Sequence, residues 1–338
     1  MCAVVCGFFV LAACDDFNRS LEDDIDFYRS VTPVSSWAEL KSAAEGTAGP
    51  GLIGLAGDME PDVTITITRS LTITGFEGRR VVRRGAAFTA DPLFRVDAGG
   101  GLTLGYSHPK GGTLVLDGGG VTANAPLVRV NGGALTLNGG AVLQNNDNSA
   151  AGGGVYVASG GAFTMNGGTI SDNSYGTFGG GVYVVGSGSV FTMTGGTISD
   201  NSGGNHGGGV YFNSSGGVFT MNGGTISSNS SNSNGGGVSV NSGGFQMTGG
   251  TIGGNIARRG GGVFVSSSST SFKKEPKTAG GTSGVIYGSG EGGDSNQAVI
   301  GHAVCVNSAP EEKKRNSTAG PGVTLNSAVD GTAGGWDP

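Results

Sequence analysis

The sequence predicts an all-β protein folded as a single-stranded parallel β-helix, a solenoid of about eight coils with three short strands in each coil. The main observation is a repeat of 25 to 28 residues. The stretch GGGVYVASGGAFTMNGGTISDNS, which begins at Gly152, returns with few changes at Gly179 and Gly207 and, shortened, at Gly235. A second observation is composition. The chain has 71 glycines in 338 residues, and they recur at fixed places in the repeat, as the turns of a solenoid require.

The first strand of each coil alternates between buried and variable positions, which is the pattern of a strand with one face in a core. Its first and third members are Val or Phe in every copy. The middle member varies, and because arginine occupies it twice, we predict that this outward column faces solvent. The outward column reads Arg95, Arg129, Tyr156, Tyr183, Tyr211, Ser239, Phe264 and Cys305.

The second and third strands of each coil supply the rest of the predicted core. The second strand contributes a pair of inward apolar residues in each coil, from Leu102/Leu104 to Phe245/Met247. The third strand contributes one apolar residue in each coil, namely Val142, Ile170, Ile198, Ile226 and Ile252. An asparagine follows three residues later. Asparagine tolerates a left-handed backbone, and stacked amides can hydrogen-bond along a solenoid axis. We therefore predict a structural ladder of Asn145, Asn173, Asn201, Asn229 and Asn255.

A solenoid needs caps at both ends, because its terminal coils expose apolar side chains and unpaired strands. Ser36 with Glu39 fits a capping box, and Trp37 begins an apolar helical face that ends near Gly46. We predict an N-terminal cap with a short helix and the first coil over 36–75, β-helix repeats over 76–307, and a C-terminal cap or flexible tail over 308–338. Within the repeats, Tyr106–Lys110 is predicted to form a bulging loop.

The first residues of the chain have the pattern of an export signal. Val4–Ala13 is an apolar run that is too short to span a bilayer. It ends in LAAC, which resembles the lipobox of bacterial lipoproteins, although Met1–Ala13 contains no Lys or Arg. The resemblance implies a signal peptide over 1–13, a lipid on Cys14 and a membrane partner through that lipid. The acidic segment 14–35 is predicted to be a tether.

With these columns in place, the chain from about Trp37 onward resembles right-handed parallel β-helix surface proteins of bacteria. The GGTI-containing repeat, as in Gly167–Asn173, is similar to the GGAI and FxxN repeats of polymorphic outer-membrane proteins and of adhesin-like surface lipoproteins. The resemblance implies a pectin-lyase-like fold and a surface-displayed role in adhesion or host interaction. The role is an expectation by analogy of fold, since fold alone does not define activity.

Charge and motifs limit the functional classes. Asn131–Ile256 holds only three charged residues, and the net charge is −6, so no basic face for nucleic acid is present. Parallel β-helices also include polysaccharide-degrading enzymes, pectate-lyase-like or glycosidase, which we keep as the alternative. Asp172 and Asp200 share one column and could form a carboxylate pair or a Ca²⁺ site, but they adjoin the turn asparagines, where aspartate is common. His206 lies in a turn between repeats, and no cofactor, metal site or catalytic residue is predicted.

The strongest functional candidate is the aromatic part of the outward column, Tyr156, Tyr183 and Tyr211, with Phe264 further along. Aligned rings with polar tips can bind sugar rings or a protein surface, or they can stack on one another and stabilise the sheet. We therefore predict a non-enzymatic lipoprotein of the bacterial outer membrane and cell surface, or of the periplasm, that contacts a host glycan or protein through this candidate binding stripe.

Overall fold

The chain folds as a parallel β-solenoid of about seven turns, which confirms the all-β β-helix predicted from the repeat. The computed structural model describes residues 22–106, 108, 111–149 and 152–266. Of the rest it describes 271–274, 285–287, 296–299, 303–307, 312–315 and 329–330. Strands account for 51% of the described residues and helices for 7%. Neither helix in these ranges is long and apolar enough to cross a membrane.

Three stacks of parallel strands form the walls of the solenoid, and two long strands, Val210–Ser227 and Val238–Gly253, run through all three. The first stack also contains Ile65–Ile67, Phe94–Asp97, Val128–Asn131, Val155–Ala158, Val182–Val185, Val263–Val265 and Val304–Asn307. The second contains Thr32–Val34, Leu52–Leu55, Ser70–Phe76, Gly101–Leu104, Ala134–Leu137, Ala162–Met165, Val190–Met193 and Ser271–Lys274. The third contains Arg80–Arg83, Leu114–Asp117, Ala141–Gln144, Thr169–Ser171, Thr197–Ser199 and Val285–Ile286.

A fourth, shorter stack closes one corner between the third stack and the next coil. It contains Thr122–Ala123, Asp147–Asn148, Ser174–Tyr175, Ser202–Gly203 and Ser230–Ser231. Gly111–Gly112 pairs antiparallel with the end of Ser70–Phe76, beside the predicted bulge. The glycines three residues before five of the first-stack strands have φ near +60°, a conformation that a side chain would strain. They are Gly152, Gly179, Gly207, Gly235 and Gly260.

Like residues stack on like in the core because the strands pair in register. Phe163 pairs with Phe191, and their rings are parallel at 4.7 Å between centroids; Phe191 and Phe219 continue the stack at 4.5 Å. Val155 and Val182 pair in the same way in the first stack. The whole apolar interior forms one continuous cluster from Val34 to Val304.

The third strand shows one error in the predicted alignment of the coils. Leu143, not Val142, pairs with Ile170 and is fully buried. The asparagine that belongs to the ladder in this coil is therefore Asn146, and Asn145 was assigned wrongly. Asn145 has φ +56° and shares its turn position with Asp172, which has the same φ. Between its Gly-Gly turn and its asparagine, the coil around Leu143 carries one more residue than the coils that follow it.

The asparagine ladder runs through six coils as a chain of buried amides. In each step the side-chain oxygen of one asparagine accepts the backbone N–H of the asparagine in the preceding coil, at 2.9–3.1 Å. From the third member, Asn201, onward, this oxygen also accepts the side-chain amide of the preceding asparagine. The members are Asn146, Asn173, Asn201, Asn229, Asn255 and Asn296.

The N-terminal cap contains two helices. Helix α2, Trp37–Glu45, begins as predicted: the Ser36 hydroxyl accepts the N–H of Glu39. Trp37 is buried and its ring packs 5.5 Å from Phe94, at the end of the solenoid. Helix α1, residues 22–30, falls within the predicted tether, yet its Phe27 is only 3% exposed.

Phe27 joins helix α1 to the bulge of the second coil. Its ring stacks on His108 at 4.5 Å and 7° and on Tyr106 at 5.7 Å and 18°. The acidic segment from residue 22 onward is therefore packed on the solenoid instead of serving as a free tether. Residues 1–21, with Cys14, lie outside the described residues.

The C-terminal end is closed by antiparallel strands. Glu312–Arg315 pairs antiparallel with Val304–Asn307, and Val329–Asp330 pairs antiparallel with Lys273 and Lys274. This change of direction ends the parallel stacking over the last coil, which is the role of a cap.

We expect Asn201→Ala to lower the free energy of unfolding by about 2 kcal/mol or more, because the buried backbone N–H of Asn173 loses its acceptor and the carbonyl of Ile170 loses the Asn201 amide. A buried polar group left without its partner costs about 1–3 kcal/mol. Denaturant unfolding followed by circular dichroism measures the change. Asp200→Gly is the matched control. Asp200 is the exposed neighbour at φ +57°, and Gly254 occupies the same position in a later coil, so this change should alter stability by less than about 1 kcal/mol. Equal effects of the two variants would contradict the structural role of the ladder.

Candidate ligand-binding surface

The outward column and the turn before the first stack together carry a cluster of aromatic side chains. Tyr156, Tyr183 and Tyr211 are successive register partners in the first stack. Phe178 and His206 occupy equivalent turn positions of successive coils and are joined by a β-bridge. We call these five residues the aromatic surface.

The rings of the aromatic surface are in mutual contact. Tyr183 lies 5.3 Å from the ring of Tyr156 and 5.3 Å from that of Tyr211. Phe178 stacks on Tyr211 at 4.8 Å and 18°, and on His206 at 5.5 Å and 20°. Edge-to-face and offset contacts of this kind are the preferred aromatic geometries and stabilise the cluster.

Exposure differs along the stripe, and the prediction that all four members face solvent is wrong for two of them. Tyr156 and Tyr183 are half-buried, and Phe178 and His206 are also half-buried. Tyr211 is only 5% exposed because Phe178 covers it, and Phe264 is 3% exposed. Phe264 is also separated from Tyr211 by the small Ser239, so it does not extend the aromatic surface.

Partial burial changes the acid–base properties of the cluster. Burial raises the pKa of Tyr211 to about 12. Burial also raises the pKa of Tyr183 to about 12, with further contributions from the neighbouring tyrosines. The hydroxyls of Tyr156, Tyr183 and Tyr211 make no hydrogen bond to another described residue, so they are available to a ligand.

His206 is held as a neutral ring at the edge of the aromatic surface. Its Nδ1 lies 3.1 Å from the side-chain amide nitrogen of Asn234, the equivalent turn residue of the next coil. Burial lowers the pKa of His206, which favours the uncharged ring. A neutral Nδ1 accepts the amide N–H of Asn234, and Phe178 covers one face of the ring.

Arginine occupies the outward column on the N-terminal side of the aromatic surface. The guanidinium carbon of Arg129 lies 4.9 Å from the centre of the Tyr156 ring, a cation–π contact. One coil earlier, Arg95 forms an ion pair with Asp97 at 3.2 Å. Arg129 is half-buried, and the ion pairs seen among the described residues do not include it.

The carboxylates of the enzyme alternative lie on another part of the coil. Asp172 and Asp200 are exposed turn residues with φ +56° and +57°. Asp172 helps to line an open cavity of about 340 Å³ together with Asp117, Asp147 and Arg83.

The hydrogen bonds in this cavity are structural. The oxygens of Asp117 accept the N–H of Gly119 and bond Arg83, and those of Asp147 accept the hydroxyls of Thr122 and Ser174. Within the described ranges, no three His, Cys, Asp or Glu side chains are grouped as a metal ion would need.

Among the described residues, the outward column also includes one cysteine. Cys305 is buried at this position. Cys14, the predicted lipidation site, lies outside the described residues.

Comparison of the chain with protein-family models, with curated proteins and with solved structures finds no match.

The sequence reveals only part of the aromatic surface. The alternation of the first strand identifies the tyrosine column, but Phe178 and His206 lie in turns, where alternation says nothing about direction. Phe178 and His206 each lie one residue before a glycine of the repeat, Gly179 and Gly207, both of which have a left-handed backbone. The alignment of the coils therefore indicates that the two side chains occupy equivalent turn positions.

We expect stability to fall as the pH rises from about 10 to about 12. In the unfolded chain both tyrosines ionise near their ordinary pKa of about 10. In the folded chain Tyr183 and Tyr211 ionise near 12, so folding disfavours the phenolate. The stabilisation is complete below pH 10 and is lost through this window.

Denaturant midpoints of the parent protein and of Tyr183→Phe, measured between pH 9 and 12, test this expectation. Tyr183→Phe should reduce the loss of stability at high pH. A decline of equal size in Tyr183→Phe would show that Tyr183 is not the group that titrates.

Proposed function

We propose that this protein is a non-enzymatic lipoprotein of the bacterial cell surface or periplasm that serves adhesion, binding a host glycan or protein through the aromatic surface. One observation carries the proposal. The apolar columns of the three stacks are fully buried, yet Tyr156, Tyr183 and Phe178 remain half-exposed and in contact with one another. Grouped aromatic rings with free polar tips are typical of interaction sites.

Stabilisation of the sheet alone does not require this arrangement. A ring in the outward column gains from cross-strand packing, at roughly 0.2–1 kcal/mol for each pair. The next coils of the same column hold this fold with serine at Ser239 and a buried ring at Phe264. Partly exposed tyrosines in two successive coils, Tyr156 and Tyr183, therefore favour a role beyond packing.

The place of the aromatic surface along the solenoid suits a protein held at its N-terminus. Helix α1 packs beside the first coils, so a lipid on Cys14 would be attached at that end. Tyr156 lies three register steps beyond Thr66 in the first stack, which is about 14 Å along the axis at the spacing of β-strands. The aromatic surface would thus lie further along the solenoid axis than the coils beside the proposed anchor.

The non-enzymatic part of the proposal is supported by the environment of the carboxylates. Asp172 and Asp200 lie at turn positions with a left-handed backbone, where aspartate is common, so no catalytic role is needed to explain them. Both side-chain oxygens of Asp147 accept structural hydrogen bonds. Cleavage of an acidic polysaccharide that is abolished by Asp172→Ala or Asp200→Ala would contradict this part.

We expect the double variant Tyr156→Ser/Tyr183→Ser to lose binding at least roughly tenfold, because it removes the two exposed rings at the centre of the surface. It should keep its fold, with a loss of about 1–3 kcal/mol from the broken ring contacts. Binding of purified protein to arrays of glycans and of extracellular-matrix proteins provides the measurement.

The control for this experiment is Val190→Ser, which removes an exposed apolar side chain from the second stack. It should bind like the parent protein. Lowered melting of the tyrosine variant with unchanged binding would assign the rings to sheet stability and remove the binding hypothesis.

We expect Cys14 to carry lipid in the mature protein. Intact-mass analysis of protein extracted from its native membrane should show a chain that begins at Cys14 with added acyl mass, and Cys14→Ser should release the protein into the soluble fraction. Protease treatment of whole cells reports surface exposure in the same preparation. A mature chain that retains residues 1–13 without lipid would overturn the anchor.

A further inference from the structure

We propose that the ligand of the aromatic surface is an acidic oligosaccharide that lies along the solenoid axis, with a carboxylate on Arg129 and sugar rings against Tyr156 and Tyr183. This inference rests on the proposed function, since it names the chemical class of the ligand for the same surface. Three features favour this class of ligand: the charge of Arg129, the spacing of the rings, and the absence of a free strand edge under the aromatic surface.

The charge argument depends on Arg129. Its guanidinium lies over the Tyr156 ring, and no carboxylate of the described residues forms an ion pair with it. The preceding cation in the column, Arg95, is already neutralised by Asp97. A guanidinium presents N–H donors in a fork that matches a carboxylate, so Arg129 supplies an anion site at one end of the rings.

The dimensions favour an extended ligand. Arg129, Tyr156 and Tyr183 occupy three successive coils, so the accessible row is about 10 Å long at the spacing of paired strands. A single sugar would contact one ring or the arginine, but not both ends of the row. Phe178 fills the side of the row next to Tyr211, which leaves Tyr156 and Tyr183 as the exposed rings nearest Arg129.

Other classes of ligand fit this surface less well. An extended peptide gains affinity by pairing with a free strand edge, but the strands under the aromatic surface pair in parallel on both sides. A nucleic acid requires many phosphate contacts, and the row offers one uncompensated arginine in a chain of net charge −6. Sugar rings need only an aromatic face and hydroxyl partners, and Tyr156 and Tyr183 supply both.

The test uses the full chain and oligosaccharides of galacturonate, hyaluronan and alginate, with methyl-esterified galacturonate as the uncharged counterpart. Binding is measured by titration calorimetry at low and at high salt. We expect at least one acidic oligosaccharide to bind, the methyl ester to bind at least roughly tenfold more weakly, and added salt to weaken binding. Arg129→Gln should weaken acidic binding roughly tenfold with little effect on the ester.

Arg95→Gln is the matched control. It removes a cation from the same column, one coil away, that Asp97 already neutralises, so its effect should be less than about twofold. Melting curves of both arginine variants establish that the fold is retained.

The outcomes separate this inference from the proposed function. Equal affinity for the acid and the ester, or binding that Arg129→Gln leaves unchanged while Tyr156→Ser/Tyr183→Ser abolishes it, would refute the acidic ligand and leave the surface intact as a binding site. Failure of every oligosaccharide to bind, or binding of single-stranded DNA or peptides alone on the same surface, would overturn the inference outright. Binding that the tyrosine variant does not change would refute both.

Discussion

The structure depends on one constraint: each coil must match the next, residue for residue, along the solenoid axis. A single coil buries too few apolar side chains to offset the entropy of ordering its backbone. Stacked coils share those side chains and pair their strands, so stability is collective. The parallel rings of Phe163, Phe191 and Phe219, and the amide chain of the asparagine ladder, are direct expressions of this constraint.

The same constraint explains how much of the fold could be predicted. Columns that repeat at a fixed spacing, such as Val155 and Val182, predict parallel pairing in register without any structural information. The prediction failed where the spacing changed. One additional residue after the Gly-Gly turn moved the ladder position from Asn145 to Asn146. The additional residue does not change the composition of the segment, so composition could not reveal the shift.

The candidate surface was harder to predict because it arises where the repeat is not strict. The outward column does not contribute to the core, so it tolerates Arg129, Tyr156 and Ser239 in turn. Which of these side chains remain exposed depends on the turns beside them. Phe178 buries Tyr211, and this contact joins a turn residue to a strand residue that no alternation pattern connects. Packing between a turn and a strand face therefore determined the extent of the surface.

The most direct test of in-register stacking is the cross-linking of residues that are separated by one coil. In a chain whose four cysteines are replaced by serine, Thr164→Cys and Thr192→Cys place cysteines on paired strands of the second stack. Paired strands are about 4.8 Å apart, which is within reach of a disulfide. In-register stacking predicts rapid, nearly complete oxidation of this pair and slow oxidation when the second cysteine is placed at Thr194. Equal rates for the two pairs, or no cross-link in either, would contradict in-register stacking.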